Sequence, residues 1–337
     1  PYFERLVWQQ FGSRIRAGDF DVVHRITPLT PTAASSLAPK CAKAGIPFVI
    51  GPINGGVPWP RGFDRLRRQE REWLSYVRLL YRWLPSSRRT WRHAAALLVG
   101  SRHTLSEIPQ SLHVKCIYMP ENAIDPLRFN RRAGAAGLPL RICFVGRLVP
   151  YKGPDMLLEA ATPLLREGTV AIDIIGDGPL MNSLKASAAE LGISSAVRFH
   201  GWVDHKEVQD LMCQSHVMAL PSVREFGGGV VLEAMALGVV PIVVDYAGPA
   251  ELVDSQVGFK VALGTREQIV LGLRQTLQQI AAAPESLAKL AEQARARVLD
   301  LYTWPAKAEQ VLQAYRWVCK QRADKPVFTF GRAMADE

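Results

Sequence analysis

The sequence predicts an α/β protein built from parallel, doubly wound sheets in two domains. Three observations predict it. Short apolar strands alternate with helix-length amphipathic segments along most of the chain. The 337 residues exceed what one ordinary core holds. A Gly/Ala-rich stretch at 130–139 (NRRAGAAGLP) lacks apolar periodicity and reads as a linker.

The elements follow in order. The chain opens in a helix (YFERLVWQQFGSRI), and strands are expected at 21–26, 47–51, 94–100 and 115–119. A Rossmann-like half usually carries more strands, so the first domain, 1–134, reads as incomplete. Beyond the linker, strands are expected at 140–148, 169–176, 196–203, 216–221, 240–245 and 258–263. Between them lie helical patterns at about 153–166, 179–191, 205–214, 228–237 and 248–254, the grammar of right-handed βαβ crossovers. Residues 265 to about 322 read as helical throughout. The second domain is therefore 135–315, and 316–337 forms a helix and tail returning toward the first. Two such domains leave a cleft at the carboxyl ends of their strands, where ligands of these sheets bind.

Charge is unevenly distributed. Residues 1–134 carry 21 Lys/Arg against 9 Asp/Glu, a net of +12, whereas the remainder carries 20 against 22, a net of −2. Ten arginines fall within 61–93, interleaved with Trp73, Tyr76, Leu79, Leu80 and Trp83. A basic helix with an aromatic face lies on an anionic membrane surface, and equally packs its rings inward with the arginines solvated. Nucleic acid is the poorer fit, because no recognition motif accompanies the charge, and no nucleic-acid partner is expected. The five cysteines are scattered, form neither a disulfide framework nor a zinc pattern, and favour a reducing, cytoplasmic setting. No signal peptide and no apolar run of spanning length is evident.

The most informative segment is 225–245 (EFGGGVVLEAMALGVVPIVVD), where Glu233 is the sole charge between Phe226 and Val244. A carboxylate in so apolar a run is costly unless something hydrogen-bonds it. Gly227, Gly228 and Gly229 open a helix whose free amides suit a phosphate. Glu225 lies just before that helix and Glu233 two turns in, about 12 Å along the axis, a span for a ligand with hydroxyls at both ends and an anionic middle. Earlier, the strand at 140–146 delivers Gly146, Arg147 and Lys152 to the sheet's ligand edge, a fork and a point charge suited to a diphosphate. Gly176-Asp177-Gly178-Pro179 closes the next strand as a tight turn, and the backbone near Val203 ends the third. Asp19-Phe20-Asp21 has the form of a metal-binding D-x-D but sits at a Gly-Asp turn and reads as structural. His24 falls inside a strand, with an edge or cleft position open to it.

With these residues assembled, the second domain resembles the donor domain of glycosyltransferase family 4, retaining enzymes of the GT-B fold. The resemblance rests on F-x-G-R-L…K-G at Phe144–Gly153, the G-D-G-P turn, the F-x-G-W-V strand end, Leu220-Pro221-Ser222 and the E-F-G-G-G…L-E-A-M-A block. The first domain resembles the acceptor side through F-D-V-V-H-R-I-T-P, G-P-I-N-G-G-V-P-W-P, A-L-L-V-G-S and M-P-E-N-A-I-D. It departs in lacking the family's earliest strands and the histidine many members carry after the strand that here gives Ile50–Asn54, for which His24 is a candidate substitute.

The resemblance implies that Arg147 and Lys152 hold the donor diphosphate and that Glu225 contacts the transferred sugar. Gly146, Phe226, Gly227, Gly228, Gly229 and Val230 would line the sugar and phosphate site, Glu233 would take the ribose hydroxyls, and the Val203 backbone would border the base. It also implies no metal and no cofactor beyond a UDP- or GDP-sugar donor. The expected function is retaining transfer of a sugar to a glycan or lipid-linked acceptor at the inner face of the plasma membrane, in polysaccharide or glycolipid assembly. The alternative is a non-catalytic nucleotide-sugar-binding or interaction protein derived from such an enzyme.

Overall fold

The computed structural model describes residues 2–69 and 85–330, and they form two compact units. Within these residues the first unit comprises 2–58, 85–121 and 307–329, and the second 59–69, 122–306 and 330.

The first unit is built on a four-stranded parallel sheet, in the order β1 (Val23–Arg25), β2 (Phe48–Ile53), β3 (Ala96–Val99) and β4 (Cys116–Tyr118). Strands β2, β3 and β4 are largely apolar on both sides, as a parallel sheet covered on both faces requires, while the edge strand β1 carries His24 and Arg25. Phe48, Ile50, Leu97 and Val99 pack with Leu37, Cys41 and Trp91 on one face. Val49, Ala96, Leu98 and Ile117 pack with Ala314 on the other. That second face is covered by the Trp304–Val318 helix, so the returning segment begins earlier than the expected 316.

The second unit holds a six-stranded parallel sheet in the order β10 (Phe259–Val261), β9 (Val240–Val244), β8 (Val217–Leu220), β5 (Leu140–Val145), β6 (Val170–Ile175) and β7 (Val197–Gly201). From β5 the chain winds outward through β6 and β7, then returns to β8 on the opposite side and winds outward through β9 and β10. The winding therefore reverses between β5 and β8, and a ligand crevice is expected beyond the carboxyl ends of those two strands.

The six expected strands and five expected crossover helices are present, with ends trimmed by a few residues. The helical tail is divided into Arg266–Ala282, Leu287–Leu301 and Trp304–Val318. The domain boundary lies at 121/122 rather than 134/135, because residues 122–134 run along the second unit. There Ile124 pairs with Thr303, and the Ala133 amide donates to the Leu237 carbonyl at 2.8 Å. Among the described residues no helix is long and apolar enough to cross a membrane. The stretch 61–93 is described only in part: Phe63 and Trp91 are buried, while Trp73, Tyr76, Leu79, Leu80 and Trp83 lie outside the described residues.

One charge in the first unit is unusual. Lys307 is 7% exposed, and burial pulls its ammonium down to about 7 against the opposing pull of Glu121. The unfolded chain keeps this proton to near 10.5, so it binds more protons than the folded chain above pH 7, and stability rises with pH there. Above pH 9 the buried thiols of Cys41 and Cys116, each pushed up to about 11, act in the opposite sense. Between pH 7 and 8.5 thermal unfolding is expected to show a gain on the order of 1 kcal/mol in the native chain. Scanning calorimetry of Lys307→Met over the same range should show no such gain.

Candidate functional site

The loops leaving β5 and β8 meet at the reversal. After β5 the chain passes Gly146 and exposed Arg147, turns through Pro150–Lys152, and enters the Pro154–Arg166 helix at Gly153. Gly153 has φ +70°, and a Cβ there would lie 2.7 Å from the Pro221 carbonyl. Only glycine allows both that turn and that approach. The loops are then joined by backbone: the Val223 amide donates to the Tyr151 carbonyl at 2.9 Å, and the buried Ser222 hydroxyl lies 3.2 Å from the same oxygen.

This backbone contact brings together Lys152 and Glu225. Lys152 Nζ lies 3.0 Å from Glu225 Oε2, with side chains 18% and 21% exposed. The structure thus places a cation from one loop and a carboxylate from the other at the switch point, with Arg147 on the first loop. The G-D-G-P turn has a packing role instead of an open one. A Cβ on Gly176 would collide with the Gly146 carbonyl, so this glycine seats the β6 turn against the β5 loop.

Past Glu225 the chain crosses Phe226 and Gly227, and Gly228 caps the Gly229–Ala236 helix in a left-handed conformation. Among the described residues the amides of Gly227, Gly228 and Gly229 donate to no protein acceptor. They form a ready anion site at the positive end of the helix. Asn122 stands beside them, its Cγ 3.9 Å from where a Gly229 Cβ would be. Val230 is partly exposed at the same end.

Glu233 is partly exposed on the open side of this helix, while Val231, Leu232, Ala234, Met235 and Ala236 are buried. No described residue donates a hydrogen bond to it. Burial raises its pKa, and the positive charges of His205 and Arg128 oppose that rise. The expected hydrogen-bonding partner is therefore not supplied by the described protein. Val203 lies two residues before His205, past the end of β7 and next to a Trp202 that is 79% exposed.

His24 belongs to the first unit, and both ring nitrogens are engaged there. Nε2 lies 2.8 Å from the Gly51 carbonyl and Nδ1 2.7 Å from the Tyr315 hydroxyl. The carbonyl can only accept, so Nε2 carries the proton and Nδ1 accepts from Tyr315. Burial lowers the pKa of His24, and the hydrogen bond to the Gly51 carbonyl opposes that shift. This geometry makes His24 a brace between β1, β2 and the C-terminal helix. Asp19 is likewise engaged, accepting from Arg14 Nε at 3.1 Å.

Sequence reasoning missed Asn122, Arg128 and His205, as well as the aromatic pair Trp59 and Tyr151. Asn122 could have been found as the polar residue closing the M-P-E-N-A stretch. The others carry no local signal, since their roles follow from contacts distant in sequence.

The family model for glycosyl transferases group 1 matches residues 129–297. The MMP alpha-(1->4)-mannosyltransferase of Mycolicibacterium hassiacum is 28% identical over 89% of this chain and 71% of that protein. The GDP-mannose-dependent alpha-(1-6)-phosphatidylinositol monomannoside mannosyltransferase of Mycolicibacterium smegmatis is 30% identical over 55% of this chain, which spans 50% of that protein. Among solved structures, Anabaena HepE in complex with UDP superposes with a TM-score of 0.62 at 18% identity, covering 90% of this chain and 80% of its own. That likeness shows the α/β, GT-B fold.

A half-buried carboxylate to which no described residue donates destabilises the ligand-free protein. The folded pKa of Glu233 is raised, so the penalty is fully present above that pKa and disappears as pH falls toward 4.5. Glu233→Gln is expected to stabilise the chain by roughly 1 kcal/mol at pH 7, a rise of about 2–4 °C in Tm. The difference should vanish near pH 4.5. A lower Tm for Glu233→Gln at pH 7 would mean that the carboxylate has a protein partner after all.

Proposed function

This chain belongs to the glycosyl transferases of group 1, and we propose that it transfers a sugar from a nucleoside diphosphate sugar to an acceptor hydroxyl with retention of configuration. The observation that carries this reading is the Lys152–Glu225 pair at the switch point, beside three amides and a Glu233 that have no hydrogen-bond partner among the described residues. Along the chain Glu225, the glycine amides and Glu233 follow in the order that a sugar, a diphosphate and a ribose would meet them, with Lys152 beside Glu225.

In this reading Arg147 and Lys152 grip the diphosphate, close to the Gly146 backbone, and stabilise the charge that grows on the leaving phosphate as the glycosidic bond breaks. Glu225 accepts from hydroxyls of the transferred sugar and also holds Lys152 in place. The amides of Gly227, Gly228 and Gly229 donate to sugar and phosphate oxygens, with Phe226 and Val230 at the rim. Glu233 accepts from the ribose hydroxyls, which supply the donors that no described residue provides. The Val203 backbone meets the base. Charge compensation comes from these cations and amides, without a metal or cofactor. A donor phosphate oxygen takes the proton of the attacking hydroxyl, which delivers the acceptor to the face the leaving group vacates.

UDP- and GDP-sugars are the donors to test, since one relative's name specifies GDP-mannose and one similar structure holds UDP. The acceptor is a glycan or a lipid-linked sugar presented at the inner membrane face. Support for a membrane location comes from the arginine-rich stretch 61–93, of which 70–84 lie outside the described residues.

A second reading, binding a nucleotide sugar without turnover, is favoured by one observation. The candidate substitute for the family's histidine, His24, has both nitrogens engaged internally.

Calorimetric titration distinguishes these readings from a protein that binds no nucleotide. A nucleoside diphosphate should bind at least about tenfold tighter than the monophosphate, a margin of about 1.4 kcal/mol. Lys152→Ala should erase that margin, and Glu233→Ala should weaken both nucleotides alike. Absence of binding by UDP, GDP and ADP would overturn the proposal. Incubation with acceptor then separates turnover from binding, and the anomer of the product reports retention.

A further inference from the structure

We propose that Trp59 is a positioning residue of the donor-sugar site, bracing the two loops that carry Lys152 and Glu225; this rests on the function proposed above. Trp59 belongs to the second unit and lies in the run Pro58-Trp59-Pro60. Its flanking prolines restrict the backbone on both sides, so the indole is presented in a narrow range of directions.

The indole touches both loops. Its ring meets the Tyr151 ring edge-on, with centroids 6.1 Å apart and planes at 88°. The Arg224 guanidinium lies 5.0 Å from the Trp59 centroid and 5.7 Å from that of Phe226. Tyr151 immediately precedes Lys152, and Arg224 immediately precedes Glu225. One side chain therefore contacts the residue before each member of the ion pair. Backbone bonds through Val223 and Ser222 align the two loops, and Trp59 adds a side-chain span across them.

Packing alone does not explain this placement. Phe63, 5% exposed, already anchors the 59–69 segment, whereas Trp59 remains partly open to solvent. Its edge contact and cation–π contact are directional, so they set ring and guanidinium orientation as well as burying area. Because Arg224 immediately precedes Glu225, the residue read as facing the sugar, while Arg147 and the turn amides still hold the diphosphate, losing the brace should weaken the nucleotide sugar more than the nucleotide.

The test is calorimetric titration of the full chain with UDP and UDP-glucose, and with GDP and GDP-mannose, using whichever pair binds. In Trp59→Leu the nucleoside diphosphate should bind within about twofold of the native value, while the nucleotide sugar weakens about tenfold. Trp59→Phe should recover part of that loss, because a ring persists. Arg224→Gln removes the cation between the rings and should reproduce the selective loss even if Trp59→Leu fails to fold. Equal weakening of diphosphate and sugar nucleotide would show a merely structural role and overturn the inference, as would variants indistinguishable from native. A native chain that binds none of the four ligands overturns the proposed function, and this inference with it.

Discussion

The ion pair between Lys152 and Glu225 is the constraint on which the second unit's site depends. It forms because the winding of the sheet reverses between β5 and β8, leaving two neighbouring strand ends whose loops leave in opposite directions. Gly153 permits those loops to touch, and the Tyr151 and Val223 backbones join them. Only then do a lysine and a glutamate 73 residues apart come within 3.0 Å. Both side chains stay partly exposed, so the attraction between them is modest. Its consequence is positional: it holds Lys152 of the first loop beside the residue that leads into the glycine turn.

Downstream of that pair the structure leaves polar groups unanswered. Three amides at the helix start donate to nothing among the described residues, and Glu233 accepts from nothing. Gly227, Gly229 and Glu233 are partly exposed, so they stay open to a ligand that brings its own donors and acceptors, as the proposed nucleotide sugar would. Donor and acceptor alternate there in a sense that suits a polyhydroxylated anion.

Much of this was legible in the sequence. Alternation of apolar runs with helical patterns gave away the strands of both sheets, and Glu233 stood out because nothing else in its segment is charged. Gly228 announced a helix start by its triplet. Other features could not be read, since they depend on partners remote along the chain. His24 reads as a free strand histidine until Tyr315 is seen at 2.7 Å, 291 residues away. Lys307 resembles any solvated lysine of an amphipathic helix, yet is buried near Glu121. Trp59 reads as part of the first domain, and its packing with Tyr151 and Arg224 places it in the second unit. Local pattern reports the period of burial, whereas the identity of a buried group's partner is set by topology.

Hydrogen exchange at the glycine turn tests the central claim most directly. Exchange of the Gly227–Val230 amides should be fast in the empty protein, as for helix-start amides without acceptors, and slow when a nucleoside diphosphate sugar is bound. Protection of that segment, lost in Lys152→Ala, is the predicted result. Binding detected by calorimetry with no change in exchange at Gly227–Val230 would place the ligand elsewhere and contradict the account.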